Sequence, residues 1–208
     1  MRELTDPTCT AAPGQTVMQR PLRVTVFCGS SPGQDPAFGR AARTVGALLA
    51  AAGAELVYGG ARIGLMGALA DAALAAGGEV TGVIPRSLNR PDIVHPALTR
   101  LEVVADMATR KAVMRDLADA FLILPGGLGA LEELAEMWSG AQLALNHTPI
   151  AVANIGGFFD PLLHFLASAQ QAGFLSATDR DLITVDTDIA RLTTTVLNQL
   201  TTAEMTSW

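Results

Sequence analysis

From residue 22 to about 200 the chain alternates two kinds of apolar pattern. Short apolar or β-branched runs, of the kind that strands buried on both faces require, fall at 22–27 (LRVTVF), 55–57, 80–84, 101–104, 121–124, 149–153 and 182–185. Between them lie segments with helical spacing. Asp35 can cap the first helix with Pro36 at its opening position, Phe38, Ala41, Ala42, Val45 and Leu49 mark one face, and Gly53 ends it. A second helix is expected from Gly64 to Ala76, closed by Gly77 and Gly78. Asp106 caps a third, which carries Met107, Arg110, Lys111, Met114 and Leu117. A fourth follows the 121–124 strand and runs to Leu145, a fifth is capped by Asp160 and runs to Gln171, and a last one covers 189–200. The segment 85–100 (PRSLNRPDIVHPALTR) holds three prolines and little periodicity, which predicts a loop crossing the mouth of the sheet.

Strands and helices in this alternation imply an α/β protein: a doubly wound, Rossmann-like, mainly parallel sheet with helices on both faces. In such folds ligands bind beyond the carboxyl ends of the strands. Three small-residue turns, at 29–31, 59–67 and 126–130, all follow strands and are therefore expected on one edge. Residues 1–20 (MRELTDPTCTAAPGQTVMQR) lack the apolar centre of a signal peptide and are expected to form a disordered tail. Residues 21–208 are expected to form a single nucleotide-binding domain.

Composition narrows the function classes. The formal charge is 14 minus 20, or -6, with no basic run, which argues against a nucleic-acid partner. No stretch is apolar for the roughly 18 to 20 residues of a membrane span. Cys9 and Cys28 are the only cysteines, so neither a disulfide framework nor a zinc site is suggested, and a reducing, cytoplasmic setting is expected. His95, His147 and His164 are scattered, and no metal is expected.

The stretch 119–142 (DAFLILPGGLGALEELAEMWSGAQ) carries the chemistry. An apolar run stops at Pro125, passes Gly126, Gly127 and Gly129, and enters a helix marked by Leu131, Leu134, Ala135 and Trp138. A turn with almost no side chains lets backbone amides approach an anion, and a helix N-terminus attracts one. This reads as a phosphate seat. Glu132 and Glu133 are expected in the first turn of that helix, where a carboxylate beside a phosphate is unfavourable unless it is needed. The first turn of the chain reads CGSSPG and lacks the GxGxxG dinucleotide fingerprint, and GGARIG matches it only loosely. A mononucleotide fits better.

The sequence resembles the cytokinin-activating LONELY GUY (LOG) family, formerly described as lysine decarboxylases. The likeness is carried by VFCGSS (26–31), YGGARIGLMG (58–67), GVIPRSL (82–88), DMATRKAVM (106–114), DAFLILPGGLGALEEL (119–134) and AQL (141–143). It implies hydrolysis of the N-glycosidic bond of a nucleoside 5'-monophosphate, without cofactor, by a homo-oligomer that is most often a dimer. It carries the catalytic roles to Arg110 and Glu133. The expected substrate contacts are Gly29, Ser30, Gly59, Gly60, Gly64, Met66, Asp92, Met107, Lys111, Pro125, Gly126, Gly127, Leu128, Gly129, Ala130 and Glu132. The chain departs from the family pattern at Ala130 (threonine), Ala61 (glycine), Asp92 (glutamate) and Gly140 (tryptophan).

Residue chemistry agrees with this. Cleaving a ribosyl C–N bond passes through an oxocarbenium-like state that a carboxylate stabilises, or serves by activating water. Arg110 could grip the phosphate, hold Glu133 ionised, or polarise the base. Losing the threonine hydroxyl at Ala130 is expected to weaken binding without abolishing turnover. The alternative is a carrier that binds a nucleotide or a molybdenum-cofactor-like ligand unchanged. Lys111 is the sole lysine and is not placed for pyridoxal phosphate. Met107 and Met114 are expected in core or interface packing, and Trp138 and Leu145 on one helical face at a dimer seam.

Overall fold

The computed structural model describes residues 20–206; the expected tail, Cys9 included, lies outside the described residues. Seven strands form one sheet: β1 (Arg23–Phe27), β2 (Glu55–Tyr58), β3 (Val80–Pro85), β4 (Arg100–Val104), β5 (Ala120–Ile123), β6 (Ile150–Ala153) and β7 (Ile183–Asp186). The helices between them are α1 (Pro36–Ala51), α2 (Gly64–Ala75), α3 (Met107–Leu117), α4 (Leu128–Gln142), α5 (Asp160–Gln171), α6 (Ala177–Arg180) and α7 (Ile189–Thr206). The strand order is β4-β3-β2-β1-β5-β6-β7, and every neighbouring pair is parallel. The expected doubly wound sheet is therefore present, and wholly rather than mainly parallel.

The order follows from burial. β2, β3, β5 and β6 are buried at every position and sit inside the sheet, whereas β4, whose Leu101 and Val103 remain partly open, lies at an edge. One apolar layer joins Val24, Val26, Leu56 and Leu122 to α1, α2 and α7. The other joins Phe27, Phe121, Ile123 and Val152 to Met114 of α3 and to Leu134, Met137 and Trp138 of α4. Winding reverses between β1 and β5, so the crevice that such folds use for ligands opens where the 29–31 and 126–130 turns meet. Among the described residues no helix is long and apolar enough to cross a membrane.

Several local expectations change. Asp35 and Asp106 cap α1 and α3 as expected, accepting from the Ala37 and Thr109 amides. Asp160, however, is the first helical residue of α5; Phe159 holds the cap position, and Asp160 accepts from the Asn154 side chain instead. α4 ends at Gln142, leaving Leu145 in the following segment, exposed. Trp138 is buried in the chain's own core and its indole donates to the Asp179 carbonyl at 2.7 Å, so the two share no helical face. Met114 is core, while Met107 at the open end of α3 is half exposed. α6 and two short 3-10 turns at Arg86–Leu88 and Ile155–Gly157 were not foreseen, because they are shorter than any period can mark.

Candidate active site

Three turns converge at the switch point. The Gly29 amide donates to the Pro125 carbonyl at 3.1 Å, and the Leu65 amide donates to the Gly29 carbonyl at 3.1 Å, so the β1, β2 and β5 turns are joined directly. Gly126 is wedged between α4 and the Cys28–Gly29 backbone. A side-chain carbon there would lie 2.6 Å from the Ala130 methyl and 2.9 Å from the Gly29 nitrogen. At Gly127 and Gly129 the same carbon would meet nothing, so the face of α4 that carries them stands open. Gly127 is the cap residue of α4, with no side-chain hydrogen bond, and leaves the amides of its first turn free for a ligand.

The helix starts at Leu128, earlier than expected, so Glu132 and Glu133 stand in its second turn and not its first. Glycine supplies the cap and then continues as helix at Gly129, which a breaker reading of the run misses. Residues four apart share a helix face about one turn apart, so Glu133 lies directly along the stripe from the open Gly129.

Glu133 and Arg110 are brought together. Arg110 Nη1 donates to Glu133 Oε1 at 3.0 Å, and Arg110 Nε donates to the Val83 carbonyl at 3.0 Å. Both are buried, 9% and 7% exposed. Gly59 makes room for the guanidinium, since any side chain there would run into Arg110 Nη2 and crowd the Met66 sulfur. Burial pushes the Glu133 carboxyl up to about 7, against the opposing pull of Arg110. The Cys28 thiol at the end of β1 is driven well above its ordinary range, by burial and then by the Glu133 charge, so it is an inert neighbour. Val83 and Cys28 escaped the sequence reading: a backbone carbonyl leaves no sequence signal, and the cysteine signals only through its place at a strand end.

The remaining residues divide. Lys111 pairs with Glu132 and, at 2.5 Å, with Glu136, so it ties α3 to α4 beside the Arg110–Glu133 pair and is engaged by carboxylates rather than directed at an open seat. Asp92 is largely exposed and pairs with Arg90 at 3.4 Å. Gly60 and Gly64 adopt positive φ, at 77° and 60°, which their tight turn requires. A cavity of about 280 Å³ opens at the switch point, lined by Gly29, Ser30, Ser31, Gly33, Phe38, Leu65, Pro125, Gly126, Gly127 and Phe158. Neither Arg110 nor Glu133 lines it. The two features share the glycine turn, which closes the cavity on one side and opens α4 on the other.

A parallel sheet whose switch point is closed by bare backbone, with an acid and a guanidinium paired one turn into the adjoining helix, defines a nucleotide-binding α/β protein. Comparison with known proteins refines this. The family described as "Possible lysine decarboxylase" matches residues 66–196. The cytokinin riboside 5'-monophosphate phosphoribohydrolase of Rhodococcoides fascians is 45% identical over 170 residues, 81% of this chain and 86% of that protein. The Arabidopsis thaliana enzyme of the same name, LOG1, is 42% identical over 161 residues, 77% of this chain and 76% of its own. The chain belongs to the LONELY GUY family. Among solved structures, the molybdenum cofactor carrier protein of Chlamydomonas reinhardtii aligns with a TM-score of 0.67 at 20% identity, over 88% of this chain and 99% of that one, a likeness of fold.

Proposed function

We propose that this protein hydrolyses the N-glycosidic bond of nucleoside 5'-monophosphates of the adenosine and N6-substituted adenosine class, releasing the free base and ribose 5-phosphate. The reading rests on one observation: the buried Glu133 carboxylate, 3.0 Å from Arg110, lies one helical turn along α4 from the open backbone of Gly129. The 5'-phosphate takes the α4 amides, with Ser30 across the turn, and the ribose extends along the Gly129–Glu133 stripe. The C1'–N bond breaks with its electron pair leaving on the base, which takes up a proton from solvent. Glu133 in its ionised form faces the positive charge that develops on the sugar, and the water oxygen that adds to C1' gives up a proton to it or to solvent. Arg110 offsets part of the cost of burial, so that Glu133 is ionised above about pH 7. Lys111 holds α3 on α4, and Asp92 borders the sugar or base from the 86–99 segment. The protein works in the cytoplasm as a homodimer, the dimer being supported by the leucines left exposed on and after α4.

Incubation with adenosine monophosphate and chromatography of the products tests this. Free adenine with an equimolar amount of ribose 5-phosphate is the expected result. Unchanged nucleotide with measurable binding would overturn the hydrolase and leave a carrier.

A further inference from the structure

His95 belongs to none of the machinery above, yet it is buried and both ring nitrogens are engaged. Nδ1 accepts from the Ala97 amide at 3.2 Å, which leaves the ring proton on Nε2, 2.9 Å from Asp71 Oδ1 of α2. Its own amide donates to the Gly60 carbonyl at 3.0 Å. Two residues earlier the Ile93 carbonyl accepts from the Arg62 amide at 2.8 Å, and Ala61 bridges Val94. The 86–99 segment is thus laced onto the β2 turn, and His95 is where the lacing is also bolted to α2. That turn is the one whose Gly59 lies under the Arg110 guanidinium. The other end of the segment is pinned by the Thr99 hydroxyl, which accepts from the Val80 amide at 3.0 Å. Immediately before the Ile93 anchor Asp92 stands exposed, paired with Arg90.

We infer that His95 is a positioning residue: with Asp71 it forms a clasp that holds the 86–99 segment across the mouth of the site and fixes where Asp92 meets the nucleotide. This rests on the proposed function, in which that segment borders the sugar or base. A clasp of this kind acts on substrate binding rather than on the bond-breaking step, because the hydrogen bonds of His95 run to Asp71, Ala97 and Gly60, whereas Arg110 and Glu133 are bonded to each other and to the Val83 carbonyl.

The test is a KM-against-kcat split in a mutant cycle with adenosine monophosphate. His95→Ala is expected to raise KM about tenfold or more, with kcat changed by no more than about twofold. Asp71 is 73% exposed, so Asp71→Ala threatens folding least; it is expected to move KM in the same direction and to add nothing to His95→Ala. In an Asp92→Ala background the His95 effect is expected to disappear. His95→Gln, which keeps a donor for Asp71, is expected to recover part of the loss. A fall in kcat with KM unchanged, or a His95 effect undiminished in the Asp92→Ala background, overturns the clasp. To separate this from failure of the hydrolase reading, nucleotide affinity is also measured by calorimetry on the Glu133→Gln protein. Absence of turnover by the native protein, with an affinity still weakened by His95→Ala, counts against the hydrolase alone, and an affinity indifferent to His95→Ala counts against the clasp.

Discussion

Glu133 is held where a carboxylate is uncomfortable, and its titration is the most direct test of its role. Burial raises it from the ordinary glutamate range to about 7, Arg110 notwithstanding. A reaction that needs the ionised form therefore loses rate below that point. We expect kcat/KM to fall about tenfold per pH unit below about 7 and to level off above it. Glu133→Gln should lower kcat by at least about a hundredfold and erase the acidic limb. Stability carries the opposite sign. Because the folded carboxyl titrates above its unfolded value, the folded state binds the extra proton, and stability from this group is full below about 4.5 and is lost as pH rises to about 7. The loss is on the order of 3 kcal/mol. Denaturant unfolding of both proteins from pH 4.5 to 8 should show the balance moving toward Glu133→Gln as pH rises. A pH-independent difference together with a flat rate profile would remove Glu133 from the chemistry.

At the scale of elements, the strands and their glycine turns were legible because each signal is local: an apolar run, then residues that cannot continue it. Where the reading failed, a residue kept company with distant ones. The glycine run reads as turn through Gly129, yet Gly129 is helix, which puts Glu133 in the second turn of α4 and aligns it with the open face. Trp138 was assigned to a seam, yet α6, invisible in the sequence at four residues, supplies the carbonyl that satisfies its indole. Arg110 was found through Glu133, but the Val83 carbonyl that fixes its angle belongs to a strand 27 residues away. The segment after α4 holds one further strain. Ala144 sits at φ 54°, the one non-glycine residue with positive φ among those described. That conformation costs a side-chain-bearing residue roughly 1 to 2 kcal/mol, while glycine gives back about 0.4 to 1 kcal/mol of it through the unfolded chain. Ala144→Gly should therefore stabilise the protein by a few tenths to about 1 kcal/mol, seen as a rise of a few degrees in Tm. A lower Tm would mean that the turn is not strained.

Taken whole, the molecule leaves one side unfinished. The α1, α2 and α7 layer closes over the sheet, whereas the opposite side carries leucines that the described residues leave open: Leu128 and Leu131 on α4, then Leu143 and Leu145 beyond its end, 86%, 42%, 65% and 78% exposed. Scattered exposed leucines need no explanation, but several from one helix and its continuation make the kind of apolar face on which the proposed dimer can be tested. A second copy is the economical occupant, because an isologous contact needs only one such face to be self-complementary. Leu128 lies at the mouth of the phosphate seat, so pairing here would set the subunit boundary beside the site. Leu145 is the better probe, being past the helix end and away from the seat. Sedimentation at micromolar concentration should give a dimer for the native chain and a monomer for Leu145→Glu, with the folded state intact in both. A native chain that sediments as a monomer, or a dimer indifferent to a charge at Leu145, would move the interface elsewhere.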